Sequence, residues 1–268
     1  MKRDGLAYDV HGSDGDWLLM INGIGAPRGS WALQIDDLSQ RFRCITFDNP
    51  GIGESDVWSS DLTSASMADS AAQVLDIAGV ERAHIMGVSM GGAIAQQLML
   101  RHPGRVEKAM VVCSWAACDR YLDRCFTIMR DMAAADARPG WSVSVQKFLS
   151  LIGFTKTDFA ERYESIQAIE DMVEAAARDG HEEKASTFVA QANACLGHDT
   201  RQRLGEVTTP TLIMAGDEDA FTPIHLSHQL RDAIPGAAFQ VMEGCGHVMF
   251  YERPGEFNAR VADFLTSA

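Results

Sequence analysis

The chain has 268 residues, 46% of them apolar and 22% charged, with a formal net charge of −14. That length can bury one large core, while the acidity argues against nucleic-acid or anionic-membrane partners, both of which need basic patches. The opening "MKRDGLAYDV" carries two basic groups but no apolar run behind them, and nothing approaches the roughly 18 apolar residues of a membrane span, so a soluble, cytoplasmic protein is expected.

In chain order, "LAYDV" (6–10) and "WLLMIN" (17–22) read as strands joined by the turn "GSDGD". "RCITFD" (43–48) is a third strand, ending at the turn-rich "NPGIGES". A helix is predicted over 66–78, with Ala71, Val74, Leu75 and Ala78 near one face and Gly79 ending it. Strand 83–87, helix 90–101 and strand 108–114 follow. This alternation predicts an α/β fold: a mostly parallel central sheet flanked by helices.

After Trp115 the period changes. Leu122, Cys125, Phe126, Met129 and Met132 form one helical stripe; Phe159, Tyr163, Ile166 and Val173 form a second; Phe188, Val189, Ala192 and Leu196 form a third. Strands resume at 209–216 and 237–243, and a last helix covers about 254–266. The reading is a core of 1–114 and 206–268 interrupted by a helical cap, 115–205, too long for a loop.

The chemistry concentrates at three strand ends. In "MGVSMGG" (86–92), Ser89 sits between a strand and a helix with Gly87 and Gly91 two residues to either side. That is the pattern of a tight turn that lifts a serine hydroxyl to the top of a sheet. A serine needs a base to take its proton and an acid to orient that base. "LIMAGDEDAFTP" offers Asp217, Glu218 and Asp219, and "GCGHVMFYERP" places His247 on a short glycine-bounded loop after the last strand. The order serine, acid, histidine completes the set. His84, His102, His181 and His228 read instead as packing or surface residues.

Cys44, Cys113, Cys118, Cys125, Cys195 and Cys245 form no C-x-x-C pair and no zinc-ligand spacing, so they read as structural free thiols, with no metal.

These segments resemble the α/β-hydrolase superfamily, and most the branch of 3-oxoadipate enol-lactonases, small carboxylesterases and aminoacrylate hydrolases. "FDNPGIGESD", "GVSMGG", "GDEDAFTP" and "GCGHVMFYERPGEF" match its turn after the fourth strand, nucleophile elbow, acid loop and histidine loop. "HDTRQRLGEVTTPTLIMAG" resembles the lactonase-like return from cap to core. The resemblance implies an α/β-hydrolase fold with an inserted helical cap and no cofactor. In such acid loops the carboxylate stands three residues after the glycine, which selects Asp219. It further implies catalytic Ser89, Asp219 and His247, with an oxyanion hole from the backbone N–H groups of Ile24 and Met90. Many relatives carry histidine before the first glycine of "NGIG"; Asn22 stands there here and is expected to support the loop through its amide.

The implied reaction is hydrolysis of a small-molecule ester or lactone through an acyl-enzyme, with Trp31, Trp115, Phe126, Trp141, Phe148, Phe154, Phe221 and Val248 (and the Met90 side chain) as candidate pocket walls. The apolar wall favours an uncharged or weakly polar substrate, unless Arg28, Arg120, Arg124 or Arg130 reaches inward. Carbon–carbon hydrolysis of vinylogous diketones and cofactor-free perhydrolysis use the same triad and stay open, as do a monomer and a homodimer. Two readings from other classes compete. One is a non-catalytic binding protein on the same fold. The other is an NAD(P)-binding oxidoreductase, suggested by "GIGAPRG" after a strand with Asp48 about 25 residues on; there, Arg28 occupies the place of the third glycine.

Overall fold

The computed structural model describes residues 1–57, 62–135, 141–178 and 185–267. Its elements in order are β1 (Lys2–Arg3), β2 (Leu6–His11), β3 (Trp17–Ile21), α1 (Ala32–Leu38), β4 (Arg43–Phe47), α2 (Ser64–Ala78), β5 (Ala83–Val88), α3 (Met90–Arg101) and β6 (Val106–Val112). Then come α4 (Arg120–Ala135), α5 (Trp141–Gly153), α6 (Lys156–Glu161), α7 (Tyr163–Arg178), α8 (Ala185–Leu196), β7 (Thr211–Gly216), α9 (Ile224–Ala233), β8 (Ala238–Met242), α10 (Met249–Glu252) and α11 (Pro254–Thr266).

The eight strands form one sheet in the order β1-β2-β4-β3-β5-β6-β7-β8. β1 and β2 run antiparallel; β4, β3, β5, β6, β7 and β8 pair in parallel. Alternate residues of each strand feed two cores, as a pleated sheet covered on both faces requires. Leu19, Ile21, Ala109 and Val111 join one cluster with α2 and α3; Leu18, Met20, Met110 and Val112 join the other with Leu38, Phe257, Val261 and Leu265.

The register sets where the loops emerge. Val88 pairs with Val112, Val112 with Met214, and Gly216 with Met242. The segments that follow β3, β5, β6, β7 and β8 therefore leave from one edge, the carboxyl ends of the strands, where open α/β sheets build their binding sites.

Most boundaries fall close to those read from the sequence, and the departures have local causes. Helix α2 begins two residues earlier than predicted because Thr63 and Ser66 cap it reciprocally: Ser66 N–H donates to Thr63 Oγ1 at 3.0 Å and Thr63 N–H to Ser66 Oγ at 2.9 Å. Strand β6 stops at Val112 rather than at Ser114, because Cys113 takes a φ of 46°, outside the extended region. The stripe drawn through Phe159, Tyr163 and Ile166 crosses a break. Arg162, with φ −133°, separates α6 from α7 and leaves Tyr163 exposed. Helices α1 and α9, absent from the sequence reading, are short and flank the sheet.

Between β6 and β7 the regular elements among the described residues are helices, α4 to α8 and a short turn of 3-10 helix at Leu204–Glu206. The stems of this segment meet at a bridge between Ala117 and Asp199. Buried Gln96 of α3 ties both stems down. Its Nε2 donates to the Trp115 and Gly92 carbonyls, and its Oε1 accepts from Thr200 Oγ1 at 2.6 Å. His198, which bonds Ser64 Oγ at 2.8 Å, lies 3.4 Å from the same Oε1. Burial holds the His198 imidazole down to about 4, so it is a neutral structural group. The "HDTRQRL" motif thus anchors the return to the sheet.

Candidate active site

Ser89 stands at the β5–α3 junction with φ 57° and ψ −119°, a conformation that a residue with a side chain holds only when its surroundings enforce it. The surroundings are tight. A Cβ at Gly87 would overlap the Gly91 carbonyl, and one at Gly91 would overlap the Ile21 carbonyl. The two glycines are the condition for packing helix, elbow and β3 this closely. The Ser89 N–H donates to Val112 O and its carbonyl accepts from Ser114 Oγ, both at 2.9 Å. Ser89 is 3% exposed, and its Oγ has no partner among the described residues.

The opening loop lies beside it, with Gly23 against Ser89 Cβ and Gly25 at φ 68°. The Asn22 amide spans the loop by donating to Pro27 O at 3.0 Å, and Asn49 Nδ2 donates to the Asn22 carbonyl at 3.3 Å. The Ile24 and Met90 N–H groups donate to no acceptor among the described residues. Met90 opens α3, so its N–H is one of the helix's free N-terminal donors.

Asp219 and His247 come from the β7–α9 and β8–α10 loops. Asp219 accepts from the Phe221 and Thr222 N–H groups at 2.8 and 2.7 Å, from Thr222 Oγ1 at 2.7 Å, and pairs with His247 Nδ1 at 2.9 Å. Thr222 Oγ1 lies 3.1 Å from the same Nδ1. With two oxygens facing it, Nδ1 carries the proton and Nε2 keeps its lone pair. The histidine loop is held from two sides. His247 N–H donates to Gly153 O at the end of α5 (2.7 Å), and Gly246 N–H donates to Glu252 (2.8 Å).

Cys113 links the two halves of the site. It follows Val112, which accepts from Ser89, and its Sγ lies within 4.8 Å of polar atoms of both Asp219 and His247. Burial, reinforced by the Asp219 charge, pushes this thiol well above its ordinary value, which opposes the thiolate that a metal ion would need. All six cysteines are free.

Of the candidate wall residues, Trp115, Phe126 and Phe221 form a chain of rings ending on the imidazole, with centroid separations of 5.0, 5.3 and 4.8 Å. Val248 packs near Gly153, while Phe148 and Phe154 are half-buried. Trp31 belongs to the core cluster on the α1–α11 side of the sheet and packs on Phe250. The Trp141 side chain lies outside the described residues, as does His181.

The residues behind the dinucleotide reading are spent on each other. The Arg28 N–H donates to Asp48 Oδ1 at 2.6 Å, and its guanidinium pairs with Asp48, Asp9 and Glu54. Both Asp48 oxygens are already engaged, Oδ2 also by the Glu54 N–H, and the side chain is fully buried. Arg130 pairs with Asp131, and Arg120 and Arg124 are exposed. Thr222, Gly153, Glu252 and Gln191, whose Oε1 accepts from the Gly25 N–H, escaped the sequence reading. The one signal was the threonine three residues after Asp219, positioned to close an Asp-led turn.

The description alpha/beta hydrolase fold matches residues 16–254. "Putative carbamate hydrolase RutD" of Azorhizobium caulinodans is 32% identical over 263 residues, spanning 97% of this chain and 94% of its own. Among solved structures, Est816, described as an N-acyl homoserine lactone degrading enzyme, is 27% identical with a TM-score of 0.81 over 98% of both chains. The enol-lactonase from Burkholderia xenovorans LB400 is 24% identical, with a TM-score of 0.84 over 98% of this chain and 96% of that one. With its mostly parallel sheet and a family match across nearly its whole length, the chain belongs to the alpha/beta hydrolase fold family.

Proposed function

We propose that this protein is a serine hydrolase that cleaves a small carboxylic ester or lactone through an acyl-enzyme on Ser89. The observation that carries the reading is the strained Ser89 backbone, with its Oγ unpartnered at the strand ends where the Asp219–His247 pair also emerges. His247 Nε2 takes the Ser89 proton as Oγ attacks the carbonyl, and Asp219 steadies the imidazolium. The free N–H groups of Ile24 and Met90 receive the oxyanion; losing one such donor typically costs about 100- to 1,000-fold in turnover. The leaving alkoxide takes the proton from His247. Water then attacks the acyl-enzyme with His247 again the base, releasing acid and restoring Ser89. In this reading residues 115–205 act as a cap over a core of 1–114 and 206–268. Trp115, Phe126 and Phe221 line the apolar approach to His247.

A second reading, hydrolysis of a carbamate, is favoured by the relative named for that activity at 32% identity. The attack on the carbonyl is the same; when the alcohol leaves, the intermediate is a carbamoyl-enzyme, which water cleaves to the carbamic acid and free Ser89.

A fluorophosphonate probe tests the nucleophile. Wild type is expected to be labelled, and Ser89→Ala, with an unchanged melting temperature, to lose both label and turnover by about 10,000-fold or more. A folded wild type that resists the probe would refute the reading. A panel of aryl esters, lactones, carbamates and vinylogous diketones then assigns the substrate; turnover confined to the diketones would refute ester hydrolysis.

A further inference from the structure

Helix α8 brings one polar side chain against the opening loop. Gln191 is fully buried, and its Oε1 accepts from the Gly25 N–H at 2.9 Å. A backbone N–H is met only by an oxygen, so this bond fixes which way the amide faces. The other end, Nε2, is buried with no partner among the described residues. Gln96, equally buried, has both ends of its amide occupied. An amide donor buried beside the loop of a binding site, with nothing to donate to, is costly unless a ligand completes it.

The neighbourhood is built the same way. Thr187, one turn earlier on the same face of α8, packs against Gly51, and its Oγ1 is also buried and unpartnered. Asn49 donates to the Asn22 carbonyl while its own Oδ1 stays unpartnered. Phe188 lies against Gly25 and supplies an apolar side. Of these polar groups Gln191 is the one bonded to the Gly25 N–H, a single peptide away from the Ile24 N–H.

We propose that Gln191 is a specificity-determining residue. Its Nε2 donates to a second acceptor oxygen carried by the acyl part of the substrate, beside the carbonyl that Ser89 attacks. The substrate class is accordingly a small acyl compound with a further carbonyl or carboxylate oxygen, rather than a plain aliphatic ester. The proposal rests on the serine hydrolase reading, and the fluorophosphonate label keeps the two apart.

The test compares nitrophenyl acetoacetate and levulinate with nitrophenyl isovalerate and isocaproate, in which a methyl group replaces the keto oxygen. Wild type is expected to favour the keto ester of at least one pair in kcat/KM. Gln191→Met is expected to lose about tenfold of that preference. A wild type that labels with the probe but shows no keto preference overturns this proposal alone, and needs no variant to do so. Equal losses on keto and methyl esters in Gln191→Met overturn it too, because they reduce Gln191 to a prop for the loop.

Discussion

Thr222 sits where a single hydroxyl meets both Asp219 and His247. It has one proton, which goes to Asp219 Oδ2, so its oxygen can only accept from His247 Nδ1. That arrangement holds the imidazole in the tautomer a general base requires. Thr222→Val keeps the shape and removes the oxygen, freeing the ring to tilt or change tautomer. The expected result is a fall of about tenfold in kcat with KM little changed, largely recovered in Thr222→Ser. Steady-state kinetics on one ester would check it; an unchanged kcat would confine Thr222 to closing the turn after Asp219. The Asn22 amide does comparable work in the opening loop, where its bond to Pro27 O closes the turn that carries Ile24.

Between elements, the histidine loop depends on a carboxyl pair bridging α10 and α6. Glu252 accepts from Gly246 and hydrogen-bonds to Asp158, which Thr155 caps and Arg162 pairs. Burial, with the neighbouring Asp158 carboxylate, raises Glu252 from its ordinary 4.5 to about 8. Burial alone would raise Asp158 as well, but hydrogen bonds from Glu252 and Thr155 outweigh it and hold that carboxyl low. Folding therefore binds a proton at Glu252. Its contribution to stability is whole below 4.5 and is lost as pH rises to about 8. Buried His198 slopes the other way between about 4 and 6.5, leaving the window above 6.5 to Glu252. Melting curves should show wild type losing stability relative to Glu252→Gln between pH 6.5 and 8, and a constant gap would contradict the assignment. This junction also explains what the sequence withheld. Arg162 is an ordinary helix former, yet it breaks α6 from α7 because its guanidinium is drawn to Asp158 and the Glu252 carbonyl, 90 positions away. By contrast, strands β2 to β8 and helices α2, α3 and α11 were legible because apolar period and capping residues are local; the two-residue β1, Lys2–Arg3, carries no such pattern. Ser89, Asp219 and His247 were legible as candidates because each follows a strand within a short, glycine-marked loop. Gln191 was not, since its partner Gly25 lies 166 positions earlier.

At the scale of the whole molecule, two layers must stay in register if the site is to form: the sheet with its flanking helices, and helices α4–α8. Gln191 reaches the opening loop, Gly153 holds His247, and Gln96 gathers Trp115, Thr200 and His198 at the point where the helical segment leaves the sheet and returns. If these bonds couple the layers, the protein unfolds as one unit. In urea, tryptophan fluorescence and far-ultraviolet circular dichroism should then report coincident transitions. Gln96→Met fills a similar volume but strands the Trp115 carbonyl and His198 Nε2 in an apolar interior, while the Thr200 hydroxyl keeps the Ala116 carbonyl and His198 Nδ1 keeps Ser64. Each buried group so orphaned costs about 1–3 kcal/mol, and partial rearrangement offsets some of it, so a loss of about 2–4 kcal/mol is expected. Tight coupling would move both transitions together to lower urea. Separation of the two probes in Gln96→Met, with the helical segment melting first, would locate the coupling in Gln96 itself. Separation already in wild type would mean that the two layers are independent and that the site is assembled by docking rather than by folding.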